Sequence, residues 1–259
     1  MKIGIIIPVY NEEKNIKKVI DNAKKKTKNI IIVIDGSTDR SLEIVKKQGV
    51  SLIVNRKNKG LVESLKKGFG YALRNGYDLI VKIDGDNQMD LSYFNSLIES
   101  YNRTKGELIA ATYNPHNTPW MVKKDVWIYS GLFNLATGQR AGDIISEYRL
   151  FSRKAMKLYI KSKIQDNASN LSIIPLSKDC KISYVRGGVN YHMSHLRPFH
   201  LKGLWDLRIH FISEIWKLRT LKSKIVAVIS IPVLFGLMVF NLTIGHKYNS
   251  FLLKRRLRR

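Results

Sequence analysis

The chain has 259 residues, of which 44% are hydrophobic and 10% aromatic, enough for one well-packed core with at most a small appendage. Its formal charge of +25 indicates an anionic partner, such as nucleic acid, anionic lipid or a phosphorylated substrate. The single cysteine, Cys180, excludes an internal disulfide framework and a cysteine-rich zinc site. The apolar run at 3–9 is short and leads directly into a turn, so we predict a strand there rather than a signal peptide.

The first half of the chain alternates apolar runs with helical patterns. Continuous apolar runs separated by helices indicate an α/β fold with a mostly parallel sheet covered on both faces. The predicted strands are 3–8, 29–34, 50–55 and 79–84, and the predicted helices are 15–26, 41–48 and 61–75. Ligands of such sheets bind beyond the carboxyl ends of the strands. We therefore expect the polar clusters at 8–12, 35–39 and 84–88 to meet at one edge.

The second half continues with helices at 90–101 and 126–137 and strands at 108–112, 146–151 and 182–185. Its last part changes character. The stretch 199–221 is basic, amphipathic and rich in tryptophan, which is typical of an interfacial membrane helix or of a helix that packs on a core. The uncharged stretch 225–245 is long enough to cross or re-enter a membrane, and a basic tail follows it. We predict a catalytic domain at 1–198 and an anionic-membrane-binding segment at 199–259.

The cluster at 84–88 has the composition of a metal site. Asp84, Asp86 and Gln88 are two residues apart, so an extended backbone would point all three side chains to one face. Two carboxylates and an amide oxygen suit Mg²⁺ or Mn²⁺ that also holds substrate phosphates. A solvated turn is the alternative for this cluster taken alone.

Four motifs occur in an order and spacing that resemble the family-two inverting glycosyltransferases of the GT-A fold. They are residues 6–13, 35–39, 58–60 with Gly68, and 84–88. Within that family the chain looks most like the polyprenyl-phosphate branch, typified by dolichol-phosphate mannose synthase, over about residues 1–200. The resemblance implies a nucleoside-diphosphate-sugar donor, a Mg²⁺ or Mn²⁺ ion and a polyprenyl-phosphate acceptor. It also implies a membrane-associated protein whose catalytic domain faces the cytoplasm.

The resemblance assigns roles on the donor side. The nucleotide-sugar residues are Pro8, Tyr10, Glu12, Asp35, Lys59 and Asp84, and the metal ligands are Asp84, Asp86 and Gln88. Asp86 is the central ligand, while Asp84 is assigned either to the metal or to the ribose. Family members usually carry two consecutive aspartates where this chain has Ile34 and Asp35, so the nucleobase is left open.

On the acceptor side, residues 143–153 resemble the family's acceptor segment, with Glu147 in place of a glycine. Arginine binds phosphate through paired, charge-assisted hydrogen bonds, so Arg140, Arg149 and Arg197 are predicted phosphate contacts. Asp166 lies near where members with sugar acceptors place a catalytic base. The predicted catalytic residues are thus Asp86, Arg149 and Asp166.

Three functions follow from these assignments. The first is sugar transfer to a polyprenyl phosphate, whose anionic oxygen needs no base. The second is transfer to a hydroxyl of a glycolipid or polysaccharide, with Asp166 as base. The third is a non-catalytic, membrane-bound protein that binds nucleotide sugar or nucleic acid. The sequence shows no helix-turn-helix, zinc or RNA-binding signature for a nucleic-acid partner.

Overall fold

The computed structural model describes residues 1–116, 118–164, 171–190 and 201–256, without the side chains of 121, 201–207, 238 and 240–256. Its centre is a sheet of seven strands: β1 (Ile3–Val9), β2 (Ile30–Asp35), β3 (Ser51–Asn55), β4 (Leu79–Lys82), β5 (Leu108–Tyr113), β6 (Arg149–Ser152) and β7 (Ile182–Val189). Their order across the sheet is β3-β2-β1-β4-β6-β5-β7. β6 runs antiparallel to both of its neighbours, and the other pairs are parallel. The predicted α/β fold with a mostly parallel sheet is confirmed.

Helices connect the strands and cover the sheet. They are α1 (Ile16–Lys24), α2 (Ser41–Lys46), α3 (Leu61–Arg74), α4 (Phe94–Thr104), α5 (Trp120–Thr137), α6 (Arg153–Lys161), α7 (Ile173–Leu176), α8 (Leu201–Lys217) and α9 (Leu221–Arg256). A short 3₁₀ turn, Leu91–Tyr93, precedes α4. The sequence did not predict α6 or α7. α6 begins at the basic pair after β6, where the hydroxyl of Ser152 accepts a hydrogen bond from the backbone nitrogen of Ala155.

The two faces of the sheet carry separate apolar cores because successive strand residues point to opposite sides. Ile5 and Ile7 of β1 pack with α1, α2 and α4, whereas Ile6 packs with the side that carries α3 and α5–α9. Both faces are therefore dry, which explains why β1 and β2 read as continuous apolar runs rather than as an alternating pattern.

The two C-terminal helices belong to the second of these cores. α9 packs against α8 and α5, and the ring of Phe211 on α8 meets Tyr129 on α5 edge-on at 5.0 Å. The predicted domain boundary at 198/199 falls within 191–200, which lies outside the described residues. On the described side of it, α8 and α9 share an apolar core with the sheet.

The predicted apolar segment 225–245 lies inside the single long helix α9, which contains Pro232. Over the part of the chain that the structure describes, none of the helices combines the length and the apolarity needed to cross a membrane. The predicted membrane-crossing helix is therefore not confirmed.

Candidate functional site

The carboxyl ends of β1, β2 and β4 lie side by side around a cavity of about 320 Å³. β1 lies between the other two strands and runs parallel to both, so the loops that follow the three strands meet at one edge. Six of the predicted site residues line this cavity: Pro8, Tyr10, Glu12, Asp35, Asp84 and Asp86. We call it the strand-end cavity. The fold thus brings together residues from three motifs that are far apart in sequence.

Two glycines allow the walls of the strand-end cavity to approach each other closely. A Cβ atom at Gly85 would lie 3.1 Å from Cγ of Glu12, tighter than an ordinary contact. Gly36 has φ of +67°, and a Cβ atom there would lie 2.3 Å from the backbone nitrogen of Asn58. Because no other residue fits this conformation without strain and clash, glycine is required at position 36.

The carboxylate of Asp35 holds one wall of the cavity in place. It is buried and accepts hydrogen bonds from Nδ2 of Asn55 at 2.8 Å and from the backbone nitrogens of Lys59 at 2.9 Å and Gly60 at 2.8 Å. These bonds place a negative charge at the N-terminus of α3, where the helix dipole favours it. The side chain of Lys59 is exposed and does not line the cavity. Asp35 therefore anchors the turn at 58–60 while it borders the cavity.

The residues after β4 form a turn rather than an extended strand. β4 ends at Lys82, two residues earlier than predicted, and Asn87 has φ of +65°. The backbone nitrogen of Gln88 donates to Oδ1 of Asp86 at 3.1 Å, and its side-chain Nε2 donates to Oδ2 at 2.6 Å. The prediction that an extended backbone aligns the three side chains is therefore wrong. Asp84 and Asp86 still line the cavity, whereas Gln88 does not and bonds to Asp86 instead.

A buried lysine that the sequence reasoning missed lies directly beside this turn. Lys82 is 1% exposed, and its ammonium group donates to Oδ1 of Asp84 at 2.5 Å and to Oε2 of Glu147 at 2.9 Å. Burial opposes the charged lysine, but the two carboxylates outweigh it and raise the pKa of Lys82. Burial likewise opposes the charge on Glu147, yet Lys82 and Arg149 lower the pKa of that carboxyl group. Two sequence signals pointed here: a lysine inside an apolar strand, and a glutamate in a position usually held by glycine.

The donor atoms present fit a divalent cation that arrives with its substrate. Among the described residues, no three His, Cys, Asp or Glu side chains lie close enough to hold a metal ion by themselves. Asp84 and Asp86 nevertheless offer carboxylate oxygens to one cavity. Mg²⁺ is commonly held by one or two carboxylates together with substrate phosphates and water. The site has the composition expected for a cation bound jointly by protein and diphosphate.

Arg149 lies in the interior and does not line the strand-end cavity. Its guanidinium group donates to Oγ of Ser172 at 2.7 Å and to the carbonyl oxygen of Ile144 at 2.9 Å. Through the bond to Ile144, Arg149 stabilises the segment that precedes β6. The structure does not support the predicted phosphate contact, because the side chain is only 1% exposed.

Arg140 borders a different cavity, of about 760 Å³, along the first half of β7. Arg103 and Arg186 line it too. This cavity shares no lining residue with the strand-end cavity, so the structure does not bring Arg140 to the predicted donor site. Asp166 and Arg197 lie outside the described residues.

The chain is similar in sequence to several known proteins. A protein of Methanocaldococcus jannaschii of uncharacterized function (MJ0544) is 43% identical over 90 residues, which cover 32% of this chain and 39% of that protein. The UDP-N-acetylglucosamine–dolichyl-phosphate N-acetylglucosaminyltransferase of Methanococcus voltae is 30% identical over 209 residues, covering 71% of this chain and 83% of that protein. The chain thus spans about two fifths of the first relative and most of the second.

Among solved structures, glucosyl-3-phosphoglycerate synthase of Mycobacterium tuberculosis, in complex with Mn²⁺, UDP and phosphoglyceric acid, has the same fold. The TM-score is 0.60 at 18% identity, covering 83% of this chain and 78% of that one. The family model described as glycosyl transferase family 2 matches residues 4–159. Several relatives carry names that specify a dolichyl- or polyprenyl-phosphate acceptor, so the chain resembles that branch. On these grounds the protein is a glycosyltransferase and belongs to glycosyl transferase family 2.

Proposed function

We propose that this protein transfers a sugar from a nucleoside-diphosphate sugar to a membrane polyprenyl phosphate, with inversion at the anomeric carbon. The observation that carries the proposal is the strand-end cavity, where the Pro8–Glu12 loop, Asp35 and the carboxylates of Asp84 and Asp86 border one space. A nucleotide sugar presents three different groups to its binding site. The base requires an apolar and aromatic surface, the ribose requires polar groups, and the diphosphate with its cation requires carboxylates.

On the donor side, Tyr10 is 49% exposed at the rim and offers a ring on which a base can stack. Asp84 and Asp86 are the proposed residues around a Mg²⁺ or Mn²⁺ ion, and Gln88 supports Asp86 through two hydrogen bonds. The Mn²⁺ and UDP named for the structural neighbour support a divalent cation. When bound, such an ion supplies positive charge that stabilises the diphosphate leaving group. Asp35 fixes the wall against which the nucleotide lies.

On the acceptor side, we propose that a phosphate oxygen of the lipid attacks the anomeric carbon opposite the leaving diphosphate. A new carbon–oxygen bond forms, the old one breaks, and the nucleoside diphosphate departs with the electron pair. The lipid phosphate is already anionic at neutral pH, so the step needs no general base. The names of the relatives support this acceptor class. Unchanged transfer by an Asp166→Asn variant would exclude the alternative in which Asp166 activates a hydroxyl acceptor.

The helices α5, α8 and α9 carry the proposed membrane contact. With Met1, Tyr10 and Val54 excepted, all the exposed large apolar side chains in the described part of the chain lie on these three helices. They are Trp120, Trp127, Leu135, Ile209, Trp216, Leu221, Ile225, Val228, Ile229, Ile231, Val233, Phe235 and Val239. We call this set the apolar helix face. A soluble protein rarely exposes so many large apolar side chains on helices that pack together without a partner.

Basic side chains lie beside two of the tryptophans of the apolar helix face. The ammonium group of Lys124 is 5.6 Å from the ring centre of Trp120, and that of Lys224 is 5.8 Å from the ring centre of Trp216. Tryptophan paired with lysine suits the boundary between acyl chains and anionic headgroups. We therefore propose that the apolar helix face rests on an anionic bilayer, with the catalytic domain on the cytoplasmic side.

The test is a donor screen with the full chain in membranes or detergent. Undecaprenyl or dolichyl phosphate is supplied as acceptor, and a panel of radiolabelled nucleoside-diphosphate sugars is tried with Mn²⁺ and with EDTA. We expect one donor to move label into the lipid phase, only when the metal is present. Label that appears only in a polysaccharide or in a glycolipid hydroxyl, or transfer that EDTA leaves unchanged, would contradict the proposal.

A further inference from the structure

The cavity of about 760 Å³ lies along β7, the last strand of the sheet, and β6 and β5 separate it from β4. The pairing of the strands places Ile182, at the start of β7, level with Ile80 in β4. Three strand spacings, about 14 Å, therefore separate this cavity from β4. The strand-end cavity, by contrast, lies beyond the carboxyl end of β4 and shares no lining residue with it. A ligand here would not take part in the chemistry of the donor site.

Three arginines from three separate elements border this cavity, which we call the arginine cavity. Arg103 lies in the last turn of α4, Arg140 follows α5, and Arg186 lies in β7. In the described part of the chain, none of their guanidinium groups forms an ion pair or a hydrogen bond. Glu99 is the one carboxylate among the described residues that line the cavity. The excess of positive charge favours an anionic ligand.

Uncharged donors complete the wall of the arginine cavity. Ser100 lines it from α4, and in the part of the chain that the structure describes its hydroxyl oxygen is buried without a hydrogen-bond partner. The backbone nitrogen of Ile182 faces the open side of β7, where it donates to Oε1 of Gln139 at 2.8 Å. Because backbone groups alternate along a strand, the N–H of Tyr184 faces the same open side. Hydroxyl, amide and guanidinium donors together suit a ligand rich in acceptor oxygens.

The position of Arg140 connects the arginine cavity with the apolar helix face. Leu135, in the last turn of α5, belongs to that face and is 51% exposed. The side chain of Asn134 accepts from the backbone nitrogen of Ala141 at 2.8 Å and donates to its carbonyl oxygen at 3.4 Å. The segment that carries Arg140 therefore folds back beside the end of α5. A ligand bound by Arg140 would lie beside a helix that we propose to rest on the bilayer.

We infer that the arginine cavity is a second anion site, separate from the donor site, that binds the phosphate group of its ligand. Guanidinium groups bind phosphate through paired, charge-assisted hydrogen bonds, and three of them surround one space here. A phospholipid headgroup and a free phosphate offer the same chemistry, and the position beside α5 favours the headgroup. That choice of source rests on the membrane contact in the proposed function, whereas the phosphate site itself does not.

The experiment compares the purified full chain with three variants. The first carries Arg103→Gln, Arg140→Gln and Arg186→Gln. The second carries the corresponding Arg→Lys substitutions, which keep the charge but remove the planar guanidinium group. The matched control carries Lys18→Gln, Lys46→Gln and Lys47→Gln, which remove three exposed charges at α1 and α2. Thermal melts verify that each variant is folded.

Two titrations distinguish the sources of phosphate. Calorimetry measures binding of inorganic phosphate in metal-free buffer, and flotation measures binding to phosphatidylcholine vesicles that contain phosphatidylglycerol. We expect the Arg→Gln variant to lose at least tenfold in vesicle affinity, since several charge-assisted hydrogen bonds are lost together. We expect the Arg→Lys variant to lose severalfold and the control less than threefold. Loss of affinity for vesicles alone would identify a headgroup as the ligand, and a matching loss for inorganic phosphate would identify free phosphate as sufficient.

Two outcomes would overturn the inference. One is an Arg→Gln variant that loses no more affinity than the control in both titrations. The other is an Arg→Lys variant that equals the wild type in both, because charge alone would then account for binding. If sugar moves to lipid but either outcome is found, only the inference fails. If no donor supports transfer to lipid, the proposed function fails, while the two titrations still decide the inference.

Discussion

The strand-end cavity and the apolar helix face differ in which side chains are buried and which are exposed. Around the cavity, charges are buried: Lys82 is 1% exposed and the carboxylate of Asp35 is also buried. On the helices, apolar groups are exposed: Trp127 is 76% exposed and Trp216 is 50% exposed. Each arrangement is unfavourable in water alone. The buried charges are compensated within the protein, Lys82 by two carboxylates and Asp35 by hydrogen bonds, whereas the exposed apolar groups are those for which we propose a lipid surface as partner.

The largest expected effect is at Asp86, whose removal takes away the proposed cation ligand. Asp86→Ala is expected to lower transfer into lipid by roughly 10²- to 10³-fold, as for loss of one electrostatic stabiliser of a transition state. Initial rates at saturating donor and Mn²⁺ measure this. Asp21→Ala removes an exposed carboxylate of α1 that pairs with Lys17 and serves as the control. Equal transfer rates for the two variants would show that the carboxylate of Asp86 does not contribute to transfer.

The next effect concerns stability. Lys82→Met leaves Glu147 as a buried carboxylate without its lysine, which is expected to cost about 3–5 kcal/mol of unfolding free energy. Urea titration of the full chain in detergent gives the difference. Adding Glu147→Gln is expected to recover most of the loss, because the carboxylate that then remains, Asp84, borders the cavity with about 30% of its side chain exposed. A single variant as stable as the wild type would show that the pair is not coupled.

On the apolar helix face, Trp127→Lys and Trp216→Lys are each expected to weaken binding to anionic vesicles by about tenfold. Each substitution removes an aromatic side chain that would otherwise be buried in the bilayer. Co-sedimentation with phosphatidylglycerol vesicles provides the measurement. Val54→Lys is the matched control, because Val54 is an exposed apolar residue on β3, away from these helices. Loss of binding in the Val54 variant as well would mean that the loss is not specific to the apolar helix face, since an added lysine by itself attracts anionic lipid.

The walls of the cavity allow a finer test with two glycines. Gly36 and Gly49 have φ of +67° and +62°, but a Cβ atom at Gly49 meets nothing within 4 Å, whereas at Gly36 it meets the backbone of Asn58. Gly49→Ala is expected to cost about 1 kcal/mol for its backbone conformation. Gly36→Ala is expected to cost about 2–3 kcal/mol and also to weaken nucleotide binding. Thermal melts measure the loss of stability, and nucleotide titrations measure the loss of affinity. Equal losses of stability in the two variants would show that the 58–60 turn can shift to accommodate the added Cβ atom.

The smallest effect is a pH dependence. Burial, with the nearby carboxylates of Glu147 and Asp86, raises the pKa of Asp84 to about 6, although Lys82 opposes this. As the pH falls through about 6, Asp84 takes up a proton, and we expect nucleotide affinity to fall severalfold. If protonation of Asp84 causes this fall in nucleotide affinity, the Asp84→Asn variant will not show it. The affinity is measured by nucleotide titration at each pH. Stability moves the other way, because a carboxyl group whose pKa is raised on folding favours the folded state more as the pH falls from about 6 toward 4.

The sequence predicted which residues meet at the strand-end cavity because the signals for them are local. Each strand, turn and polar cluster up to Asp86 can be recognised from a few adjacent residues, and their parallel order places them at one edge. The surroundings of Arg149 and Lys82 depend instead on contacts distant in sequence. Arg149 looks like a phosphate contact until β6 inserts between β4 and β5 and buries it. Lys82 looks like an irregularity in an apolar strand until Glu147, 65 residues later, is placed beside it.

The antiparallel course of β6 has a consequence for how such enzymes diversify. Because β6 runs against its neighbours, its first residue rather than its last arrives at the carboxyl edge, opposite Lys82. The loop that precedes it can lengthen or shorten without moving β1, β2 or β4, yet a change of one residue in register would turn Glu147 away from the lysine. Changes in the loop before β6 therefore leave the strand-end cavity unaltered only while they keep Glu147 beside Lys82.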